Sequence, residues 1–228
     1  MELSYAERSL EAAKTDDLGR GNGHYCEIAA LLEGCAGTGK ASADAAQRNR
    51  TRSAQEKLLR EWVQSKGKLL DNDEFTRRVG LQGEDDPSGG EQDVYYDEGT
   101  GRWWKRNTLI LHQMNGWHAS FVDRLLLHNY LFPETAYRLE GYVEEGGLLM
   151  PVVSQPDVEA TRGVGRQEAE AYMGSVGYRR GGGDNYWLGG LMVGDLHDEN
   201  ILIEAHSGQV AIIDPEITVG TMPEDGLP

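Results

Sequence analysis

The chain has 228 residues with 30 glycines, a formal charge of -16, an isoelectric point near 4.7 and a mean hydropathy of -0.56. An acidic excess of this size repels phosphate backbones and excludes nucleic acid as a partner, and no stretch approaches the ~18 apolar residues of a membrane span. Two cysteines, Cys26 and Cys35, cannot build a disulfide framework, and Met1-Glu2-Leu3-Ser4 lacks the basic and apolar regions of a signal peptide, so the expected location is cytoplasmic.

Residues 1–52 are polar and alanine-rich, and read as a helical, flexible extension with helices over Tyr5 to Lys14 and Tyr25 to Glu33. Gly34-Cys35-Ala36-Gly37-Thr38-Gly39-Lys40-Ala41 approaches a phosphate-binding P-loop. It follows a helical pattern rather than a strand, however, and Ala41 stands where a magnesium-binding Ser or Thr belongs, so a glycine turn is the better reading. From Ser53 to Ser65, Ala54, Leu58, Leu59 and Trp62 recur at helical spacing behind a capping serine. Lys66 to Gly80 reads as an irregular connector, and residues 80–92 as an exposed loop of acids and turn formers.

Asp93-Val94-Tyr95-Tyr96-Asp97 and Arg102-Trp103-Trp104-Lys105-Arg106 are two strands joined by the turn Glu98-Gly99-Thr100-Gly101. Gly116 to Leu131 is helical, with Phe121, Leu125 and His128 on one stripe. Tyr137 to Val143 and Leu148 to Val153 form a second strand pair, and Ser154-Gln155-Pro156-Asp157 breaks the pattern. Arg166 to Ser175 is a helix closed by Gly177, and a hairpin is expected over Tyr178-Arg179-Arg180 and Tyr186-Trp187-Leu188.

The densest chemistry lies near the end, in Gly194-Asp195-Leu196-His197-Asp198-Glu199-Asn200, followed by Ile201-Leu202-Ile203, the turn Ser207-Gly208, and Val210 to Asp214. A β-hairpin here places Asp195 and Asn200 before its first strand and Asp214 after its second, so three oxygen-bearing side chains can converge. Hard divalent cations bind such oxygen sets, completed by phosphates and water. His112, His118, His128, His197 and His206 show no zinc-ligand spacing with the cysteines and read as ordinary hydrogen-bonding residues.

The stretch 194–200 resembles the catalytic loop of kinase-fold phosphotransferases, His-Gly-Asp-x-His-x-x-Asn, particularly of aminoglycoside phosphotransferase-like enzymes. Val-Tyr-Tyr-Asp (94–97), Trp-Trp-Lys (103–105), Leu-His-Asn-Tyr-Leu-Phe-Pro-Glu-Thr (127–135) and Ser-Gln-Pro (154–156) extend the likeness to the reduced kinases of bacterial and phage polyvalent proteins, over roughly residues 53–217. Two departures stand out: Val193 replaces the family's His, and Asp214-Pro215-Glu216 replaces Asp-Phe-Gly. Fourteen residues follow Asp214, which reads as a C-lobe without an activation segment.

The resemblance implies an α+β, reduced two-lobe protein-kinase-like fold, with an antiparallel N-lobe sheet and one helix over 53–153 and a truncated C-lobe over 154–228. It implies a phosphotransferase that uses ATP and Mg²⁺ to modify a hydroxyl-bearing acceptor, a protein Ser or Thr ahead of a small molecule. If the chain is an effector, delivery into a host cell follows. By the same resemblance Asp195 orients the acceptor and takes its proton, Asn200 and Asp214 hold the metal, and Lys105, paired with Asp123, neutralises the nucleotide phosphates. Gly89 and Gly90 would cover the phosphates, and the backbone of Ser154, Gln155 and Asp157 would hold the purine. Two other readings stay open: a nucleotide-binding pseudokinase, and an AMP transferase on the same site. Lys105 and Asp123 each also read as plain polar-face residues.

Overall fold

A computed structural model describes residues 4–15, 22–35, 45–81, 91–112 and 117–220. Gly89 and Gly90, and most of the glycine-rich stretch 34–41, lie outside these residues. The chain divides into two compact units.

The first, the sheet unit, comprises Asp17–Leu125 and Tyr137–Asp157. After α1 (Tyr5–Thr15), which belongs to the other unit, it opens with helices α2 (Gly23–Leu32), α3 (Ala45–Lys66) and α4 (Asn72–Gly80). Helix α4 occupies ground expected to be irregular. Asp71 caps it by accepting from the Asp73 and Glu74 amides, and acids in the first turn with Arg77 and Arg78 in the last complement the helix dipole. The connector before it is also ordered. Leu70 N–H donates to the Tyr142 carbonyl and Tyr142 N–H to that of Lys68, each at 2.8 Å, and Gly141 allows this approach because a Cβ there would meet Leu70 at 2.9 Å.

Strands β1 (Gln92–Asp97), β2 (Arg102–Asn107), β3 (Arg138–Glu145) and β4 (Leu148–Pro156) form an antiparallel sheet in the order β1-β2-β4-β3, with α5 (His118–Leu131) between β2 and β3 in sequence. The aromatic and β-branched content of β1, β2 and β4 suits a pleated, half-buried surface. Phe75 of α4 packs with Tyr95, Val143, Met150 and Val152 on that surface. Strand β4 does not stop at Ser154, as the sequence pattern suggests. Pairing with β2 carries it on through Trp103↔Gln155 to Arg102↔Pro156, and proline is tolerated at the strand's end.

The second, the loop unit, comprises Met1–Asp16, Leu126–Ala136 and Val158–Pro228. It contains α1 (Tyr5–Thr15), the last residues of α5, and β5 (Ala160–Gly163), α6 (Arg166–Ser175), β6 (Arg179–Arg180), β7 (Tyr186–Leu188), β8 (Leu191–Gly194), β9 (Ile201–Glu204), β10 (Val210–Ile212) and β11 (Glu216–Val219). One sheet runs β10-β9-β5 and another β11-β8-β7-β6. Strands β5 and β11 carry no period-2 signal long enough to mark them in sequence. Their partners lie dozens of residues away.

Helix α1 is part of this unit's core. Ala6 is buried against Leu127, Val164, Met173, Leu191 and Ile217, and the Ala6 amide donates to the Gly189 carbonyl at 3.1 Å. Gly189, at φ 53°, permits this contact, because a Cβ there would overlap that of Tyr5. The mixed helix and antiparallel sheet bear out the α+β class. No described helix is long and apolar enough to cross a membrane.

Candidate functional site: the catalytic-loop segment and the strand lysine

Two β-ladders of the loop unit set the positions of Asp195, Asn200 and Asp214. In the first, β8 pairs antiparallel with β11 through Gly194↔Glu216, so Asp195 leaves β8 at the end where the chain enters β11 from Asp214 and Pro215. In the second, Ile201↔Ile212 closes the β9–β10 hairpin, and the Ile213 amide donates to the Asn200 carbonyl at 2.9 Å. Asp195 and Asn200 are thereby brought, by separate ladders, to the same three residues, 213–215. The hairpin was legible in the sequence; the β8–β11 pairing was not.

Within the loop, the Asn200 side-chain amide donates to the Asp195 carbonyl at 2.9 Å and to its carboxylate at 3.1 Å. His197 Nδ1 accepts from the Glu199 amide at 3.3 Å, and its Nε2 lies 3.6 Å from Asp195 Oδ1 and 3.1 Å from Asn200 Nδ2. The ring thus sits between the Glu199 amide and the Asp195–Asn200 pair. His197 makes its contacts within the loop itself. The loop is further tied by the Asn200 and Ile201 amides, which donate to the His197 carbonyl at 2.9 and 3.0 Å.

Four non-glycine residues among those described have positive φ, and two of them are Asp195 (59°) and Asp214 (48°). Aspartate enters this left-handed region more readily than most residues, yet it still costs free energy, and such strain concentrates at functional sites. Asp195 is exposed, while Asn200 and Asp214 are half-buried. At the far end of the hairpin, the Ser207 side chain, and with it the His206 and Ser207 amides that donate to the Glu204 carboxylate at 2.9 and 2.6 Å, hold the pKa of Glu204 down at about 2.

Two glycines let other segments press on the loop. A Cβ on Gly163 would overlap the Asp198 carbonyl oxygen, and one on Gly194 would overlap the Asn185 side-chain oxygen. Gly163 belongs to β5 and had no sequence signal beyond its composition. Val193, where the resembling loops carry His, is fully buried in β8 and paired with Tyr186 and Ile217.

In the sheet unit, Lys105 lies on β2 and is 6% exposed. Its Nζ donates to Gln155 Oε1 at 2.9 Å and lies 5.5 Å from the centre of the Tyr137 ring. Asp123 is half-buried on α5. Ser154 is fully buried: its hydroxyl accepts from Arg102 Nε at 2.7 Å and donates to Glu140 Oε1 at 2.6 Å, while its carbonyl accepts from Arg102 Nη2 at 2.9 Å. Asp157 accepts from Trp103 Nε1 at 2.8 Å, and its amide donates to the Gly101 carbonyl at 3.2 Å. Sequence reasoning offered Ser154, Gln155 and Asp157 as a purine-binding segment. Their side chains hold the β2–β4 end of the sheet together.

The donor chemistry of 195–214 fits a hard cation. With its nitrogen turned to Asp195, Asn200 presents an amide oxygen, and Asp214 adds a carboxylate; both are donor types that Mg²⁺ takes. Among the described residues no group of three or more His, Cys, Asp or Glu is arranged to hold a metal ion, so waters and phosphate would have to complete the shell.

The model of a family described as serine/threonine/tyrosine kinases found in polyvalent proteins matches residues 52–221. No curated protein and no solved structure matches the chain. The match covers most of the chain, and the chain belongs to this family of kinases found in polyvalent proteins.

Proposed function

We propose that the chain is an ATP- and Mg²⁺-dependent phosphotransferase that acts on a hydroxyl of a protein, a Ser or Thr side chain. The observation that carries this reading is the meeting of Asp195, Asn200 and the 213–215 stretch through two ladders and the Asn200-to-Asp195 hydrogen bonds. Asp195 accepts the proton of the acceptor hydroxyl as its oxygen bonds to the γ-phosphorus and the bond from that phosphorus to the β,γ-bridging oxygen breaks, releasing ADP. Asn200 and Asp214 hold the metal, which when bound neutralises charge on the phosphates. Lys105 supplies positive charge to the α- and β-phosphates, and Asp123 orients it. Most of the rate gain then comes from placement and charge neutralisation.

The test is transfer of label from γ-labelled ATP with Mg²⁺ to the protein itself or a generic protein substrate, beside Asp195→Ala. Transfer that falls at least ~100-fold in the variant, with ATP binding retained, supports the assignment, because general-base contributions are of that order or larger. Equal transfer by the variant removes Asp195 from the chemistry.

A second reading, a nucleotide-binding module without transfer, draws on the way the chain passes from Asp214 into β11 within two residues, where an activation segment would begin. Mg²⁺-dependent ATP binding without transfer to any hydroxyl would favour it. The domain reading follows the same division of labour: residues 53–153 for the lysine and 154–228 for the catalytic loop, with residues 1–52 preceding both.

A further inference from the structure

The motif Leu127 to Thr135 has no part in the chemistry above, yet one of its residues reaches the strand that delivers Asp214 and a second stands behind it. Thr135 is 1% exposed, and its hydroxyl donates to the Ile212 carbonyl at 2.6 Å. His128, also 1% exposed, lies with Nε2 3.0 Å from the Thr135 carbonyl and 3.2 Å from its hydroxyl oxygen. Of the two carbonyls within reach of the Thr135 hydroxyl, Ile212 at 2.6 Å is nearer than Phe132 at 3.3 Å and takes its proton, and with His128 beside it the three groups form a buried relay.

The Ile212 carbonyl and the Ile213 amide belong to one peptide plane. Its oxygen is held by Thr135 and its N–H by the Asn200 carbonyl, at 2.9 Å. A peptide plane is rigid, so a bond at each end fixes its orientation and leaves only the dihedrals of Ile213 and Asp214 to aim the Asp214 carboxylate. Asp214 takes up a left-handed conformation immediately beyond, at φ 48°. Asn200 is tied to the same plane from the opposite side.

We propose that Thr135 and His128 are positioning residues for the metal site: through the 212–213 peptide they fix Asp214 relative to Asn200. The inference rests on the metal role proposed for Asn200 and Asp214. Groups that orient metal ligands without touching the metal are worth roughly 10- to 100-fold in metal affinity.

The full chain is tested as Thr135→Val, which keeps the shape and removes the hydroxyl, Thr135→Ser, which restores it, and His128→Gln as an independent break in the relay. Amide hydrogen exchange is followed by NMR without metal, comparing Ile213 with Val193 of β8. The Mg²⁺ concentration that half-saturates binding of a non-hydrolysable ATP analogue is measured by calorimetry. Thr135→Val should speed Ile213 exchange relative to Val193 by about tenfold and raise the half-saturating Mg²⁺ by about tenfold, with His128→Gln moving both in the same direction and Thr135→Ser staying within about twofold of the parent. If Ile213 and Val193 exchange rise together while the Mg²⁺ requirement is unchanged, the residues serve stability alone and the proposal is overturned. If the parent protein itself binds the analogue independently of Mg²⁺, the metal reading fails, and this inference with it, before any variant is compared.

Discussion

Replacing Gly163 with alanine adds one methyl group to β5 where the catalytic loop crosses it. Gly163 does not have a positive φ, so alanine can adopt its backbone conformation and the perturbation is steric. The new Cβ would overlap the Asp198 carbonyl oxygen and stand 2.8 Å from its carbonyl carbon and 2.9 Å from its Cβ. Ordinary carbon contacts are ~3.5–4.0 Å, so loop or strand must shift by about 1 Å. Neither moves freely. The neighbouring Val164 amide is bonded to the Ile201 carbonyl at 2.8 Å, and β5 pairs with β9 up to Gly163↔Leu202 itself. Overpacking of this kind costs about 1–3 kcal/mol, which for a chain of this size lowers the melting temperature by roughly 2–12 °C. A ~1 Å displacement of Asp195 and Asn200 should in addition lower turnover about 100-fold. Thermal unfolding measures the first effect and the γ-label assay the second. Gly174→Ala is the matched control: it lies in helix α6, nothing stands within 4 Å of its added Cβ, and it should raise stability by about 0.4–1 kcal/mol. A Gly163→Ala protein with unchanged melting temperature and turnover would refute the idea that β5 presses the loop into place.

Ser154→Ala leaves Arg102 and Glu140 without their shared hydroxyl and should cost about 1–3 kcal/mol in urea unfolding, with ATP affinity within about twofold of the parent. The opposite pattern would place the Ser154 hydroxyl at the nucleotide rather than in the sheet. Lys105→Met should weaken ATP binding by about tenfold or more through loss of a phosphate-facing charge, and unchanged affinity by calorimetry would remove Lys105 from that role. Burial, helped by the charge of Arg124 and the nearby His118, lowers the pKa of His112 to about 3, so it is neutral in the fold and its 3.9 Å approach to Glu91 is not an ion pair. The unfolded chain takes up that proton near pH ~6.5, so the stabilisation is complete above that pH and is lost as pH falls towards 3, by up to about 1.4 kcal/mol per unit. Urea midpoints for the parent protein should decline over this window more steeply than for His112→Gln; parallel declines would assign the acid sensitivity elsewhere.

The sequence by itself determined the elements whose signals are local. The β9–β10 hairpin follows from two apolar, β-branched runs around Ser207-Gly208, and the β1–β2 pair from aromatic strands around a glycine turn. Helix α6 emerged with its expected bounds, Arg166–Ser175. The spacing of Asp195, Asn200 and Asp214 was also local, since each sits at the end of a strand or in the turn before one. Helix α4 carries a local signal too, in the capping of Asp71 and the charge order behind it, but few of its residues are apolar, so it shows little hydrophobic periodicity.

Tertiary structure alone decided the rest. A short strand such as β5 or β11 exists because a partner offers a ladder, and β11 finds β8 more than twenty residues back along the chain. Ala6 of α1 is a core residue only because Gly189 lets the helix approach. Buried polar side chains make the point most sharply. Ser154 faces Arg102 across 52 residues of sequence, and Thr135 faces Ile212 across 77. A hydroxyl that must find a partner when buried carries no mark in the sequence of which partner it will find, because the fold brings that partner to it.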